Sequence, residues 1–239
     1  WQQGRGAFGG LVLGTLLRAA CAEEADVGRR ARTLVGDICG PVLPGPAEAL
    51  VRVLRRGNNQ TNVAAELRQN GEVLALISAV LSAPRAVDAP AITEVAPAGR
   101  PWRDVEPIPI RAPLGPVFAQ HYEYRIDGPM PFSSGPDPVA EGYVRLQASE
   151  GALDAPAIIG LLDAWYPATF STMSAPRPIA TVSFAAQIFV DPADLDPTQP
   201  LRHRGRVVEQ RGGLFLELRE LWSGPLLVAA NQQTFAVLK

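Results

Sequence analysis

Hydrophobic positions near the start of the chain recur with helical spacing. After a Gly9-Gly10 start, Leu13, Leu16, Leu17 and Ala20 fall on one stripe, and charges close the segment at Glu23 and Glu24. This predicts a helix near residues 9–24. Gly14 lies within the apolar stripe, where glycine costs about 1 kcal/mol relative to alanine, so a close neighbour is expected against that face. The period then changes. Leu50 to Arg55 and Val63 to Arg68 alternate apolar and polar residues as half-buried antiparallel strands do, and further strand-like runs surround Arg32–Val35 and Leu74–Leu81. Gly57-Asn58-Asn59 and Asn70-Gly71 supply hairpin turns. The order is one helix, then four antiparallel strands.

Prolines interrupt the pattern at Pro84, Pro90, Pro97, Pro101, Pro107, Pro109, Pro113 and Pro116, which marks an extended connector over about 84–116. The first order then returns. A second helix is expected over about 155–170, with Asp154 as N-cap and Pro156 in its first turn. Strand-like runs follow at residues 179–191, 201–210, 214–223 and 226–238, with a Gly212-Gly213 turn. Leu11-Val12-Leu13-Gly14 lies over Ala157-Ile158-Ile159-Gly160. Thr33 and Pro44 stand as far apart as Thr181 and Pro192. The expected fold class is therefore α+β, built as two fused units: 1–115, including the connector, and 116–239. A sheet wrapped round one long helix leaves an edge and a face exposed, and a second copy can cover both.

If the units are copies, chemistry resides where they differ. Laid over each other, the helices set Leu17 opposite Asp163, and the last strands set Val80 opposite Gln233. Thr33 and Thr181 are a retained pair. A carboxylate beside the apolar face of a helix is costly unless paired or protonated, and its pKa tends upward, which suits a general base near neutral pH. The bland alternatives are a solvent-facing aspartate, a glutamine in a sheet-edge network (Asn231 and Gln232 precede it) and a threonine at home in any strand.

Composition removes several function classes. With 22 Lys and Arg against 24 Asp and Glu, the net charge of −2 offers no overall attraction to nucleic acid or anionic membrane. Two cysteines, Cys21 and Cys39, in apolar segments suggest buried thiols in a reducing compartment rather than a disulfide scaffold. No apolar run is long enough for a membrane span, the chain opens on Trp1 with nothing resembling a signal peptide, and the expected location is cytoplasmic. His121 and His203 lack a metal-ligand pattern. There is no GxSxG elbow and no glycine-rich phosphate loop. Arg202, Arg204 and Arg206 share a strand face, either a solvated one or one that meets phosphates.

The segments WQQGRGAFGGLVLG, RRGNNQTNVAAELRQNGEVLALISA and GPLLVAANQQTFAVL, in that order, resemble the double hot-dog acyl-CoA thioesterases of the thioesterase II type. The resemblance runs over nearly the whole chain apart from the connector. It implies a double hot-dog fold and hydrolysis of an acyl-CoA by water, without any cofactor. It also implies an Asp–Thr–Gln site in the second unit, matching Asp163, Thr181 and Gln233. Backbone amides at Gly9 and Gly10 are expected to contact the substrate, and the hot-dog sheets to support a homo-oligomer, a dimer or larger. The rivals are a hot-dog hydratase or dehydratase, which needs a histidine near the helix, and a non-catalytic acyl-CoA or acyl-carrier binding protein.

Overall fold

A computed structural model describes residues 1–86, 88, 90, 92, 94–112, 115–148 and 151–238; Pro113 of the connector lies outside the described residues. The order is β1 (Gln2–Gln3), β2 (Gly6–Ala7), α1 (Gly9–Ala22), β3 (Arg30–Ile38), β4 (Glu48–Arg56), β5 (Gln60–Gln69) and β6 (Glu72–Ser82) in the first half. The second contains β7 (Tyr122–Ile126), β8 (Val139–Leu146), α2 (Ala155–Asp163), β9 (Ile179–Ile188), β10 (Leu201–Arg211), β11 (Leu214–Ser223) and β12 (Leu226–Val237). Strands β3 to β12 form one antiparallel sheet in the order β4-β5-β6-β3-β9-β12-β11-β10-β8-β7. Both helices pack on its inner face and against each other. This is the double hot dog.

The strand order is a palindrome about the β3·β9 junction, once the two outer strands β7 and β8 are set aside. Its register has the same symmetry. Val35 faces Ala185, and the flanking pairs Leu34–Ala186 and Gly36–Phe184 exchange under a two-fold axis through that pair. Bulges fix the correspondence between the halves. Arg32 is skipped in the β3·β6 ladder and Val182 in the β9·β12 ladder. Leu74 and Val228 are skipped in the β5·β6 and β11·β12 ladders, and Leu54 and Val208 in the β4·β5 and β10·β11 ladders. The loops agree, because the Cys39 amide donates to Leu74 O as the Phe189 amide donates to Val228 O.

Turn chemistry acts as the sequence implies. Asn70 and Gly71 adopt φ of 54° and 83°, and Gly212 and Gly213 adopt 61° and 81°, so both hairpins turn with two left-handed residues. Burial also follows the expected alternation: Ala75, Ile77, Ala79 and Leu81 face inward, while Leu76 and Ser78 face out.

Three expectations need correction. The second helix ends at Asp163 instead of near residue 170, because Pro167 has no N–H to continue a ladder and disfavours helical backbone at Tyr166. The chain resumes as a 3₁₀ turn at Ala168–Ser171. Strands β7 and β8 precede α2, so the second half is not simply helix then four strands. Their inward residues Tyr122, Tyr124, Ile126, Ala140 and Val144 alternate, and they extend the sheet beyond β10. Finally, the thiols are not both buried: Cys21 is half-buried, whereas Cys39 follows the end of β3 and is exposed.

The connector lies along the second half. Ile108 pairs with Tyr124 on the β7 edge, Arg202 donates to Ala98 O at 2.7 Å, and Arg100 pairs with Asp127 at 2.8 Å. Between the helices, Gly14 explains itself. A Cβ there would stand 3.0 Å from the backbone oxygen of Pro156 in α2, so glycine permits the close crossing. Gly14→Val should therefore lower stability by about 1–3 kcal/mol through overpacking against backbone. Gly160→Ala should cost less, because its nearest neighbour is the Tyr122 hydroxyl at the tip of a side chain. Urea denaturation of both variants checks the difference.

Candidate active site

Asp163 is the last residue of α2 and is buried. Its position is electrostatically awkward, since a carboxylate at a helix C-terminus faces the negative end of the dipole. The start of α1 offsets this. Phe8, the N-cap of α1, supplies no side-chain acceptor, and the Gly10 amide lies near enough to the Asp163 carboxylate to favour its charge. The first turn of one helix thus receives the carboxylate at the end of the other, as an anion site at a helix N-terminus does.

On the sheet side, Gln233 of β12 is fully buried and faces inward, while Gln232 is exposed. The Gln233 Nε2 donates to Asp163 Oδ1 at 2.8 Å and to Thr181 Oγ1 at 2.7 Å. Both amide hydrogens are therefore committed. Thr181 of β9 accepts with its oxygen, and its own proton is left to donate. So the three residues singled out from the sequence, Asp163, Thr181 and Gln233, come together in one hydrogen-bonded chain.

Thr181 and Gly9 both line a cavity of about 640 Å³, with Val12 and Ile38 on its wall, Cys39 beside them, and Arg5 among the N-terminal residues. A Cβ on Gly9 would lie 2.9 Å from Asp163 Oδ2 and 3.0 Å from Ile38 Cδ1. The missing side chain thus keeps Oδ2 within reach of the cavity, while Oδ1 is held by Gln233. Of the two glycines expected to contact substrate through their amides, Gly9 lines the cavity, whereas Gly10 does not and lies beside Asp163.

Sequence reasoning missed the charges behind the carboxylate. Arg219 and Glu217 of β11 are both buried. The Arg219 Nε donates to Glu217 Oε1 at 2.8 Å, its Nη1 donates to Leu162 O at 3.0 Å, and its charge lies 4.0 Å from Asp163 Oδ1. Glu217 also accepts from the Ala168 amide at 2.8 Å. The signal was present: Phe215 and Leu221 are inward, so period-two alternation puts Glu217 and Arg219 on the same face. Burial raises the Asp163 carboxyl above the ordinary aspartate range, against the opposing pull of Arg219, the Gln233 amide and the Gly10 amide.

The bulges revise the pairing of the halves. Asp163 does lie opposite Leu17, because the N-caps Asp154 and Phe8 correspond. Gln233, however, lies opposite Ala79 rather than Val80, and Thr181 opposite Ala31 rather than Thr33. The last strands are displaced by one because the turns place their glycines differently: Gly224 corresponds to Asn70, not to Gly71. Thr33 is displaced by two because a threonine in each strand invites pairing like with like. Thr33 pairs with Val80, and the inward residues beside them are Leu34 and Ala79. The symmetry-related place in the first half is thus lined by Leu17, Ala31 and Ala79. Ala155-Pro156 stands there for Gly9-Gly10, and Pro156 has no N–H to offer a carboxylate.

Neither histidine approaches this chain of groups. His203 is fully buried and stacks on Trp165 at 4.8 Å, and His121 stacks on Trp1 at 4.1 Å. The arginine row is also engaged. Arg202 pairs with Asp127 and Arg204 with Glu220, leaving Arg206 as the exposed member.

Residues 1–82 match the acyl-CoA thioesterase N-terminal domain and residues 93–237 the acyl-CoA thioesterase C-terminal domain. The chain belongs to the acyl-CoA thioesterase family. No curated protein matches it. Among solved structures it is similar to a conserved protein of unknown function with a hot-dog fold from Alicyclobacillus acidocaldarius. Identity is 24%, the TM-score is 0.89, and 98% of this chain and 88% of that one are covered. It is also similar to a candidate thioesterase II from Thermobifida fusca YX, with 23% identity, a TM-score of 0.84, and 100% and 89% covered. A third is the acyl-CoA thioesterase II TesB2 of Mycobacterium marinum, with 19% identity, a TM-score of 0.71, and 97% and 89% covered.

The raised Asp163 pKa carries a stability consequence with a definite sign. Between the ordinary aspartate value and the higher folded-state value, the unfolded chain has released the proton and the folded chain holds it. Stability therefore falls as pH rises through that window and levels off above it. Asp163→Asn removes this component while keeping the shape. The variant should unfold no lower than the parent at pH 8, and its advantage should shrink as pH falls below the folded-state value. Thermal unfolding from pH 4 to 8 checks this.

Proposed function

We propose that the protein hydrolyses an acyl-CoA thioester with a water molecule activated by Asp163. The observation that carries this is the chain from Asp163 through Gln233 to Thr181, whose threonine end lines a largely apolar cavity. Its chemistry divides naturally. Asp163 Oδ2, the oxygen beside Gly9, takes the proton from water as the water attacks the acyl carbon. Gln233, with both N–H groups engaged, orients the carboxylate and the threonine rather than donating to the oxyanion. Thr181 uses its free proton to hold the water or the thioester oxygen, and the positive end of α1 at Gly9 adds a favourable field for developing negative charge. The apolar wall from Val12 and Ile38 suits the acyl chain.

The family itself supports thioesters as the substrate class. The hydratase or dehydratase alternative lacks its histidine, because His203 is buried behind Trp165 and His121 stacks on Trp1. A binding protein without activity has no use for a buried base placed beside a hydroxyl, a costly arrangement in an apolar setting.

Incubation with a panel of acyl-CoAs and a thiol-trapping dye tests the proposal. Coenzyme A release is expected from the parent protein, and Asp163→Asn should lower it at least about 100-fold. Binding of acyl-CoA with no release of thiol, or near-normal turnover in a folded Asp163→Asn protein, would overturn it.

A further inference from the structure

The buried charges behind Asp163 have no counterpart in the first half. The β11 ladder sets Glu217 opposite Val63 and Arg219 opposite Ala65 of β5, both of which are buried beneath the apolar Leu17. The fold is therefore built once without this pair and once with it. A buried ion pair is a weak stabilising device, and hydrophobic replacements are often neutral or better. Its presence only in the half that holds the carboxylate calls for another explanation.

We propose that Arg219, restrained by Glu217, is a positioning residue that holds Asp163 in place and keeps it ionised. This rests on the catalytic role proposed for Asp163. Three contacts support it. Arg219 holds the carbonyl of Leu162, the residue immediately before Asp163, and so fixes the last turn of α2. It brings a positive charge to 4.0 Å from Oδ1, the oxygen that Gln233 also holds. Glu217 takes the Nε edge of the same guanidinium and is itself held by the Ala168 amide, so the cation is both oriented and partly neutralised. Arg219 pulls the Asp163 carboxyl down against the upward push of burial, and the Glu217 charge beside it tempers that pull. The pair thus sets where the carboxyl titrates.

The other titratable groups facing Asp163 do not supply this. The phenols of Tyr122 and Tyr124 in β7 lie close enough to interact with it, and burial keeps both neutral well above their ordinary range. Burial and the neighbouring Arg219 charge keep His203 of β10 neutral. Gln233, Thr181 and the Gly10 amide carry no net charge.

Opposite changes at the two positions give opposite results, which a merely structural role would not. In Glu217→Gln, Arg219 loses its counter-charge, so the acid limb of the kcat/KM profile should move to lower pH. In the double variant Glu217→Gln/Arg219→Met it should move to higher pH by about one unit or more, a tenfold loss on the acid side. Arg219→Lys should recover much of the parental profile. The Asp163 carboxyl, followed by carbon-13 NMR, should titrate in step with these limbs. That measurement needs no turnover, so the inference can fail while Asp163→Asn still abolishes activity, or survive if it does not. Limbs and titrations that stay in place in folded variants, or that move the same way in both, would overturn the proposal. If the double variant does not fold, the isosteric Glu217→Gln decides, and an unmoved titration there overturns it.

Discussion

The structure depends on a carboxylate that is almost wholly withdrawn from bulk water. Asp163 ends α2, against the adverse end of its own dipole, and three partners make this tolerable: the Gly10 amide, the Gln233 amide and the Arg219 charge. Each comes from a different element. The close crossing at Gly14 brings the start of α1 to the end of α2, the β9·β12 ladder carries Gln233 beside Thr181, and β11 presents Arg219 from behind. Few other arrangements of these helices and strands would serve all three at once.

Two-fold symmetry supplies the frame and its breakdown supplies the site. The axis through Val35 and Ala185 relates the sheets, helices and bulges of the halves. At the related place in the first half, Leu17, Ala31, Ala79, Val63 and Ala65 form an ordinary apolar core, and Pro156 lacks the N–H that Gly10 carries. The half that holds Asp163 also borrows from its neighbour, because Gly9, Gly10, Val12 and Ile38 belong to the first half. A site of this kind lies between the two units, so neither half contains it alone.

Much of this was legible in the sequence, for identifiable reasons. Helical spacing from Leu13 to Ala20 and the Asn70-Gly71 and Gly212-Gly213 turns impose local geometry, and local geometry is what residue patterns encode. Asp163 and Gln233 stood out because polar side chains in apolar runs break a pattern. Partners across the sheet were harder to read. The turns Asn70-Gly71 and Gly224-Pro225 carry their glycine at different places, so glycine laid on glycine pairs Gln233 with Val80 instead of Ala79. A threonine in each strand likewise pairs Thr33 with Thr181, although Thr181 corresponds to Ala31. The apolar residues around Pro167 continue the helical pattern although its ring and missing N–H end the helix at Asp163. Glu217 and Arg219 look like surface charge until their parity with Phe215 and Leu221 is counted.

The central claim is that one site works and that it lies where the symmetry fails. Initial rates of acyl-CoA hydrolysis by Thr181→Val and Thr33→Val test it most directly. Thr181 shares the Gln233 amide with Asp163, so its loss should slow hydrolysis roughly 10- to 1,000-fold. Thr33 sits outside the inward row of Leu34 and Gly36, and its replacement should leave the rate within about twofold. Equal effects at the two positions would contradict a single site built around Thr181.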